Sequence, residues 1–310
     1  MYAVQRPSRS EFLPIRLHRY HVRLWGDPTS AQPPLVLVHG WMDVAASYQF
    51  MVDALSPGFF EGRFILAPDW RGFGHSTGPA CDHYGFPDYL GDLELLLDHY
   101  CEGRPVDLVG HSMGGNIAMM YAGIRPERVR RLINLEGFGM PATKPAQAAS
   151  RYAKWMDEIK AIHRGDNALK SYADVQGVAA RLMKTNRRLP QDKADWLAQQ
   201  WAEPRVQADG STRWEILGDV AHRVINAQLF RVDEMLTLYA RIAAPTLMIE
   251  ASDDSLGGWW QGRFTLDEFH ERLRAVPNLR REVVQDAGHM LHHDQPQWLA
   301  RQLESFLSAS

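Results

Sequence analysis

Short apolar runs alternate along this chain with stretches in which apolar residues recur every three or four positions. The runs are rich in apolar residues and too short for helices, as in strands that are buried on both faces of a parallel sheet. They cover residues 35–39, 64–68, 106–109, 129–135, 244–250 and 279–284. The stretches between them have the spacing of amphipathic helices. This alternation predicts the α/β class, with a doubly wound and mostly parallel sheet.

Two parts of the chain depart from this alternation. Residues 12–25 alternate apolar and polar side chains with a register change near His18, which predicts two antiparallel edge strands. Residues 138–240 contain several helical segments and no run that predicts a buried strand. We therefore expect an all-helical insertion, 138–240, within a core domain formed by residues 1–137 and 241–310.

Composition narrows the classes of function. A formal net charge of −3 over 310 residues gives no electrostatic reason for binding nucleic acid. Two cysteines, Cys81 and Cys101, do not suggest a disulfide framework, and no apolar run is long enough to span a membrane. No secretory signal pattern follows the N-terminus. We expect a cytoplasmic monomer or homodimer.

The strongest candidate for chemistry is Ser112. Residues Gly110 to Gly114 have the pattern G-x-S-x-G between the apolar run 106–109 and a helical stretch. In such a nucleophile elbow the serine occupies a strained turn, and small neighbours let the helix pack close to the strand. The start of the helix offers free N–H groups that can stabilise an oxyanion.

A serine nucleophile needs a general base that is oriented by a third group. Catalytic groups of open α/β sheets collect at the carboxyl ends of the parallel strands. His289 follows the last predicted strand, and Asp254 follows the preceding one. The order Ser112, Asp254, His289 is the order of nucleophile, acid and base in this architecture.

Five motifs in sequence order make the chain resemble the α/β-hydrolase superfamily. They are the H-G motif at 39–41, the D-x-R-G-x-G-x-S turn at 69–76, the elbow at 110–114, the acid strand at 247–254 and the histidine loop at 286–289. The resemblance covers nearly all of the chain outside 138–240. It implies an α/β-hydrolase fold with an eight-stranded sheet, and it implies that the insertion is a helical cap.

The resemblance also implies roles for particular residues. Backbone N–H groups of Trp41 and Met113 would form the oxyanion hole. Asp254 is the preferred acid, although Ala251 replaces the glycine that is usual in its strand. Some cap-bearing relatives place the acid after the strand that follows the elbow, which makes Glu136 the alternative.

Four further side chains near these motifs are candidate substrate contacts. They are His39, His111, Trp259 and Trp260. We expect His111 to pack and hydrogen bond within the elbow rather than to catalyse. The histidines near position 292 lack zinc-ligand spacing, so no metal and no cofactor are expected.

These features predict a serine hydrolase that cleaves an ester-type bond of a small, apolar substrate through an acyl-enzyme. Epoxide hydrolases and haloalkane dehalogenases of the family need a carboxylate nucleophile, so Ser112 argues against both. A carbon–carbon bond hydrolase or lactonase could use the same residues. The alternative of another class is a non-catalytic ligand receptor on the same fold.

Overall fold

The computed structural model describes residues 2–309 of the chain. Its strands are β1 (Arg9–Ile15), β2 (His18–Trp25), β3 (Leu35–Val38), β4 (Ile65–Pro68), β5 (Val106–His111), β6 (Val129–Leu135), β7 (Ser171–Tyr172), β8 (Ala202–Val206), β9 (Thr212–Ile216), β10 (Thr246–Ala251) and β11 (Leu279–Val284). Eight of them form one sheet in the order β1-β2-β4-β3-β5-β6-β10-β11. The predicted eight-stranded sheet is therefore confirmed.

Helices connect these strands and cover the sheet. They are α1 (Gln49–Ala54), α2 (Pro57–Glu61), α3 (Phe86–Cys101), α4 (Met113–Ile124), α5 (Ala148–His163), α6 (Val175–Thr185), α7 (Gln191–Trp201), α8 (Val232–Tyr239), α9 (Ser255–Trp260), α10 (Leu266–Leu273), α11 (Leu291–Asp294) and α12 (Pro296–Ser308). None of the helices in residues 2–309 combines the length and the apolar character that crossing a membrane requires.

The directions of the strands in this sheet agree with the predicted pattern. Strands β3 to β11 of this sheet pair in parallel, whereas β2 pairs antiparallel with both β1 and β4. The central strands β3 and β5 are buried along their whole length, because helices cover both faces of the sheet. Two large hydrophobic clusters lie on the two faces. The carboxyl ends of β5, β6, β10 and β11 consequently meet at one edge.

The insertion contains more than the predicted helices. Strands β7, β9 and β8 form a second, three-stranded antiparallel sheet. The expectation of an all-helical insertion is therefore wrong. These strands are not predicted from the sequence because they are short and partly exposed, and so lack the apolar run of a buried strand. Helix α8, at the end of the predicted insertion, packs on core helix α4, where Gly123 carries no side chain.

His222 of the insertion packs against two aromatic residues of the core. The ring of His222 is stacked between the rings of Phe73 and Tyr84, with centroids 3.8 Å away on each side. Its Nε2 lies 3.1 Å from the backbone oxygen of Arg71. Burial lowers the pKa of His222 to about 3. The folded chain thus holds this imidazole neutral at pH values where an exposed histidine would be charged.

The variant His222→Phe keeps a flat ring in this stack and removes its titration. In the wild type the unfolded chain binds more protons than the folded chain between pH 3 and pH 6.5, so stability falls as pH falls through that window. Between pH 6.5 and pH 5 the variant should lose about 2 kcal/mol less unfolding free energy than the wild type. Urea unfolding at both pH values measures this difference. Equal losses in the two proteins would contradict the account.

Candidate active site

Ser112 lies in a strained turn between β5 and α4. Its backbone has φ 52° and ψ −115°, a conformation that side-chain-bearing residues rarely adopt. A Cβ on Gly110 would lie 2.3 Å from the oxygen of Gly114, and a Cβ on Gly114 would lie 2.1 Å from the oxygen of Val38. Both positions therefore require glycine if the helix is to begin this close to the strands. The turn presents Ser112 at the carboxyl edge of the sheet.

His289 faces Glu136 at the same edge. The imidazole Nδ1 of His289 lies 3.3 Å from Oε2 of Glu136. Ser112 and His289 line one cavity, and within residues 2–309 no hydrogen bond joins their side chains. Catalytic hydrogen bonds are often longer without substrate than in the reacting complex. The structure thus brings together the predicted nucleophile, the predicted base and the alternative acid.

Glu136 is held firmly in this position. It follows β6 with a positive φ of 57°, and 1% of the residue is exposed. Its Oε1 accepts a 2.7 Å hydrogen bond from the backbone N–H of Ala251, at the end of the adjacent strand β10. Burial raises the pKa of Glu136 to about 7. A carboxyl group with this pKa can gain or lose its proton at neutral pH.

The side chain of Asp254 lies at the start of helix α9. Its side chain is exposed, and its Oδ1 accepts a 2.7 Å hydrogen bond from the N–H of Gly257, which caps helix α9. The structure thus brings Glu136, rather than the preferred Asp254, into contact with His289. The physical reason is that the end of β10 is already bonded to Glu136, and the chain then turns outward into α9. Asp253 also points away, in a 2.6 Å ion pair with Arg188.

The surroundings of His289 keep its imidazole neutral and limit its motion. Burial lowers the pKa of His289 to about 3. The ring of Trp259 meets it edge to face with centroids 4.3 Å apart. His111 Nε2 lies 2.7 Å from the backbone oxygen of His289, which is the hydrogen-bonding role expected of His111. A neutral imidazole is the form that can accept a proton.

The other predicted contacts are divided between the cavity and the core. His39, a predicted substrate contact, is fully buried and does not line the cavity, and its Nε2 accepts a 2.9 Å hydrogen bond from the N–H of Trp70. Trp260 packs against the core and does not line the cavity. Trp41 lines the cavity beside Ser112. Met113 packs its side chain on the core, while its N–H is the first of helix α4 and has no acceptor within the helix.

The cavity has a volume of about 430 Å³ and lies between the core and the insertion. Its apolar lining includes Met42 and Met290 of the core and comes mainly from the insertion, through Tyr172, Leu182, Leu189, Leu197, Trp201 and Ile216. Three cations also line it, namely Lys170, Arg181 and Arg223. The lining thus combines apolar and aromatic side chains with positive charge, and Trp259 and Trp260 are not part of it. Sequence reasoning missed these cations because they lie far apart along a segment without recognisable motifs.

One group of side chains within residues 2–309 has donors close enough to consider for a metal ion. Asp43, His111 and His292 are all buried, and one donor atom from each lies within 4.8 Å of the others. Ligands of a tetrahedral zinc ion lie roughly 3.3 Å apart, so these side chains would have to move inward to hold one. The neighbouring His293 is bonded to Ser47 at 2.6 Å.

Comparison with known proteins extends the motif analysis to the whole chain. A family model described as alpha/beta hydrolase fold matches residues 33–296. The chain belongs to this family. A serine hydrolase-like protein of Danio rerio is 25% identical over 97% of this chain and 89% of its own length. An sn-1-specific diacylglycerol lipase of Xenopus laevis is 27% identical over 84% of this chain and 75% of its own length.

Solved structures show the same fold. A hypothetical protein of Pseudomonas aeruginosa PAO1 superposes with a TM-score of 0.81, at 23% identity, over 97% of this chain and 99% of that one. Membership in the family and the serine hydrolase relatives together support a hydrolase that acts on a small molecule.

Proposed function

We propose that this protein is a serine hydrolase of ester-type bonds, with Ser112 as nucleophile, His289 as base and Glu136 as the acid that orients His289. The observation that carries the proposal is the contact between His289 Nδ1 and Glu136 Oε2 at the cavity that Ser112 also lines. The lipase among the relatives supports an ester substrate. In this proposal the insertion is the cap that covers the active site.

The proposed reaction begins with the hydroxyl of Ser112. With Nδ1 of His289 directed at Glu136, its Nε2 is the nitrogen that takes the proton of Ser112 as the oxygen attacks the ester carbonyl. The backbone N–H groups of Trp41 and Met113 hold the resulting oxyanion. The alcohol leaves with the proton from His289, and a water molecule, deprotonated by His289, then releases the acid and restores Ser112.

Removing the nucleophile is the first test. Ser112→Ala should lower kcat for p-nitrophenyl esters by on the order of 10⁶, because a triad acts as a unit. The variant should also lose covalent labelling by a fluorophosphonate, measured by intact-protein mass spectrometry. Ser211→Ala, in an exposed loop of the insertion, is the control that should keep both.

Two results would contradict the proposal. Near-normal esterase activity in Ser112→Ala would remove Ser112 from the reaction. Failure of the folded wild type to react with the fluorophosphonate would favour the ligand receptor. Slow turnover of simple esters with fast turnover of a lactone or a diketone would instead indicate the lactonase or the carbon–carbon bond hydrolase.

The choice of acid is tested by a matched pair of variants. Glu136→Gln should lower kcat about 10⁴-fold, the effect that the equivalent amide substitution has in a serine protease triad. Asp254→Asn should leave kcat unchanged, because asparagine caps a helix about as well as aspartate. Initial-rate kinetics with one ester measures both. A large loss in Asp254→Asn with normal activity in Glu136→Gln would overturn the assignment.

The pH dependence separates a catalytic acid from a structural one. Because burial raises the pKa of Glu136 to about 7, kcat/KM of the wild type should fall about tenfold per pH unit below that value. Glu136→Gln should lose this limb. As a control for folding, the variant should be at least as stable as the wild type at pH 8, where the buried carboxylate is charged and its burial is unfavourable.

A further inference from the structure

Three basic side chains of the insertion surround the mouth of the cavity. Lys170 immediately precedes β7, Arg181 lies on α6, and Arg223 ends a short 3₁₀ helix at Val220–Arg223. All three line the cavity that contains Ser112 and His289. The guanidinium of Arg223 reaches the backbone oxygen of Ala168 at 3.5 Å, next to the segment that carries Lys170. Elements far apart in sequence thus bring three positive charges to one opening.

These charges have no carboxylate partner within residues 2–309. Arg181 bonds to the hydroxyl of Thr185, and the ammonium of Lys170 lies 5.2 Å from the centre of the Tyr172 ring. Both contacts position a charge without neutralising it. Arg188, in the same insertion, differs because it forms a 2.6 Å ion pair with Asp253. The cations at the cavity mouth therefore remain free to bind an anion.

The interior of the cavity adds little negative charge. Asp43 is the acidic residue among those that line it, and 6% of Asp43 is exposed. Burial raises the pKa of Asp43 to about 7, so this carboxyl is partly neutral at physiological pH. The cavity is consequently positive although the whole chain has a net charge of −3. Such a field raises the local concentration of anionic substrates.

A fourth residue supports an anionic ligand. Tyr172 is 7% exposed and lines the same cavity, and its hydroxyl has no hydrogen-bond partner in the described part of the chain. A buried hydroxyl without a partner is unfavourable, and an acceptor on a ligand would remove that cost. The ammonium of Lys170 lies over the ring of Tyr172, so both side chains belong to the same part of the cavity lining.

The wall contributed by the insertion is apolar where Leu182, Leu189 and Ile216 line it. A ligand that fits this arrangement has an apolar segment and an anionic end. We propose that the substrate is an ester with a carboxylate or another anionic group remote from the bond cleaved, and that Lys170, Arg181, Arg223 and Tyr172 bind this group. This inference rests on the proposed hydrolysis at Ser112.

Two p-nitrophenyl esters of equal chain length test the proposal. Mono-p-nitrophenyl glutarate ends in a carboxylate, whereas p-nitrophenyl valerate ends in a methyl group. The glutarate should be preferred in kcat/KM by about tenfold, mainly through a lower KM, because three exposed cations each add a modest attraction. The preference should diminish as ionic strength rises, while the valerate rate stays constant.

Variants locate the anion site. The triple variant Lys170→Gln, Arg181→Gln, Arg223→Gln should lose the preference, so that the ratio of the two kcat/KM values falls to about one. Tyr172→Phe should lower this ratio as well. Arg188→Gln, a cation that is paired with Asp253, should keep the preference. A kcat/KM for the valerate equal to or higher than that for the glutarate would overturn the anion site. A preference for the glutarate that survives in the triple variant would overturn it as well.

Binding provides a readout that does not depend on turnover. Isothermal titration calorimetry with Ser112→Ala should give a lower Kd for the glutarate ester than for the valerate ester. Equal Kd values would contradict the anion site even if no ester is hydrolysed. Hydrolysis of valerate without preference for glutarate would refute this inference and leave the proposed function standing. Absence of all hydrolysis together with selective binding of the glutarate would refute the proposed function and leave the anion site standing.

Discussion

The close approach of helix α4 to the central strands is the constraint on which the site depends. Because Gly114 has no side chain, the start of α4 can lie against the backbone of Val38, at the end of β3. The same approach forces Ser112 into its strained conformation and directs the N-terminus of α4 toward the sheet edge. Strain of this kind persists only where surrounding structure determines it, as the buried strands β3 and β5 do here.

The second constraint is the burial of Glu136 against His289. Strands β6 and β10 are neighbours, so the backbone of Ala251 can donate a hydrogen bond to the carboxyl group. Burial raises the pKa of Glu136 and lowers that of His289, and each shift opposes the charged form of the group. Burying such a pair costs stability, because uncharged side chains in its place would be easier to bury.

The sequence predicts the sheet, the elbow and the position of His289, because each depends on a local pattern of apolar residues or glycines. The choice between the two candidate acids does not depend on such a local pattern. Glu136 and Asp254 both follow strands, and only the three-dimensional path of the chain beyond β10 distinguishes them. The small sheet of the insertion has strands too short and too exposed to predict. The cations at the cavity mouth come together only through tertiary packing, so no motif could indicate them.

A crystal structure of the wild-type protein after reaction with a p-nitrophenyl alkylphosphonate tests the central assignment most directly. The account predicts phosphorus bound to Ser112 Oγ and a phosphoryl oxygen within hydrogen-bond distance of the N–H groups of Trp41 and Met113. It also predicts His289 between the adduct and Glu136. An adduct on another residue, or an imidazole of His289 turned to Asp254, would contradict it.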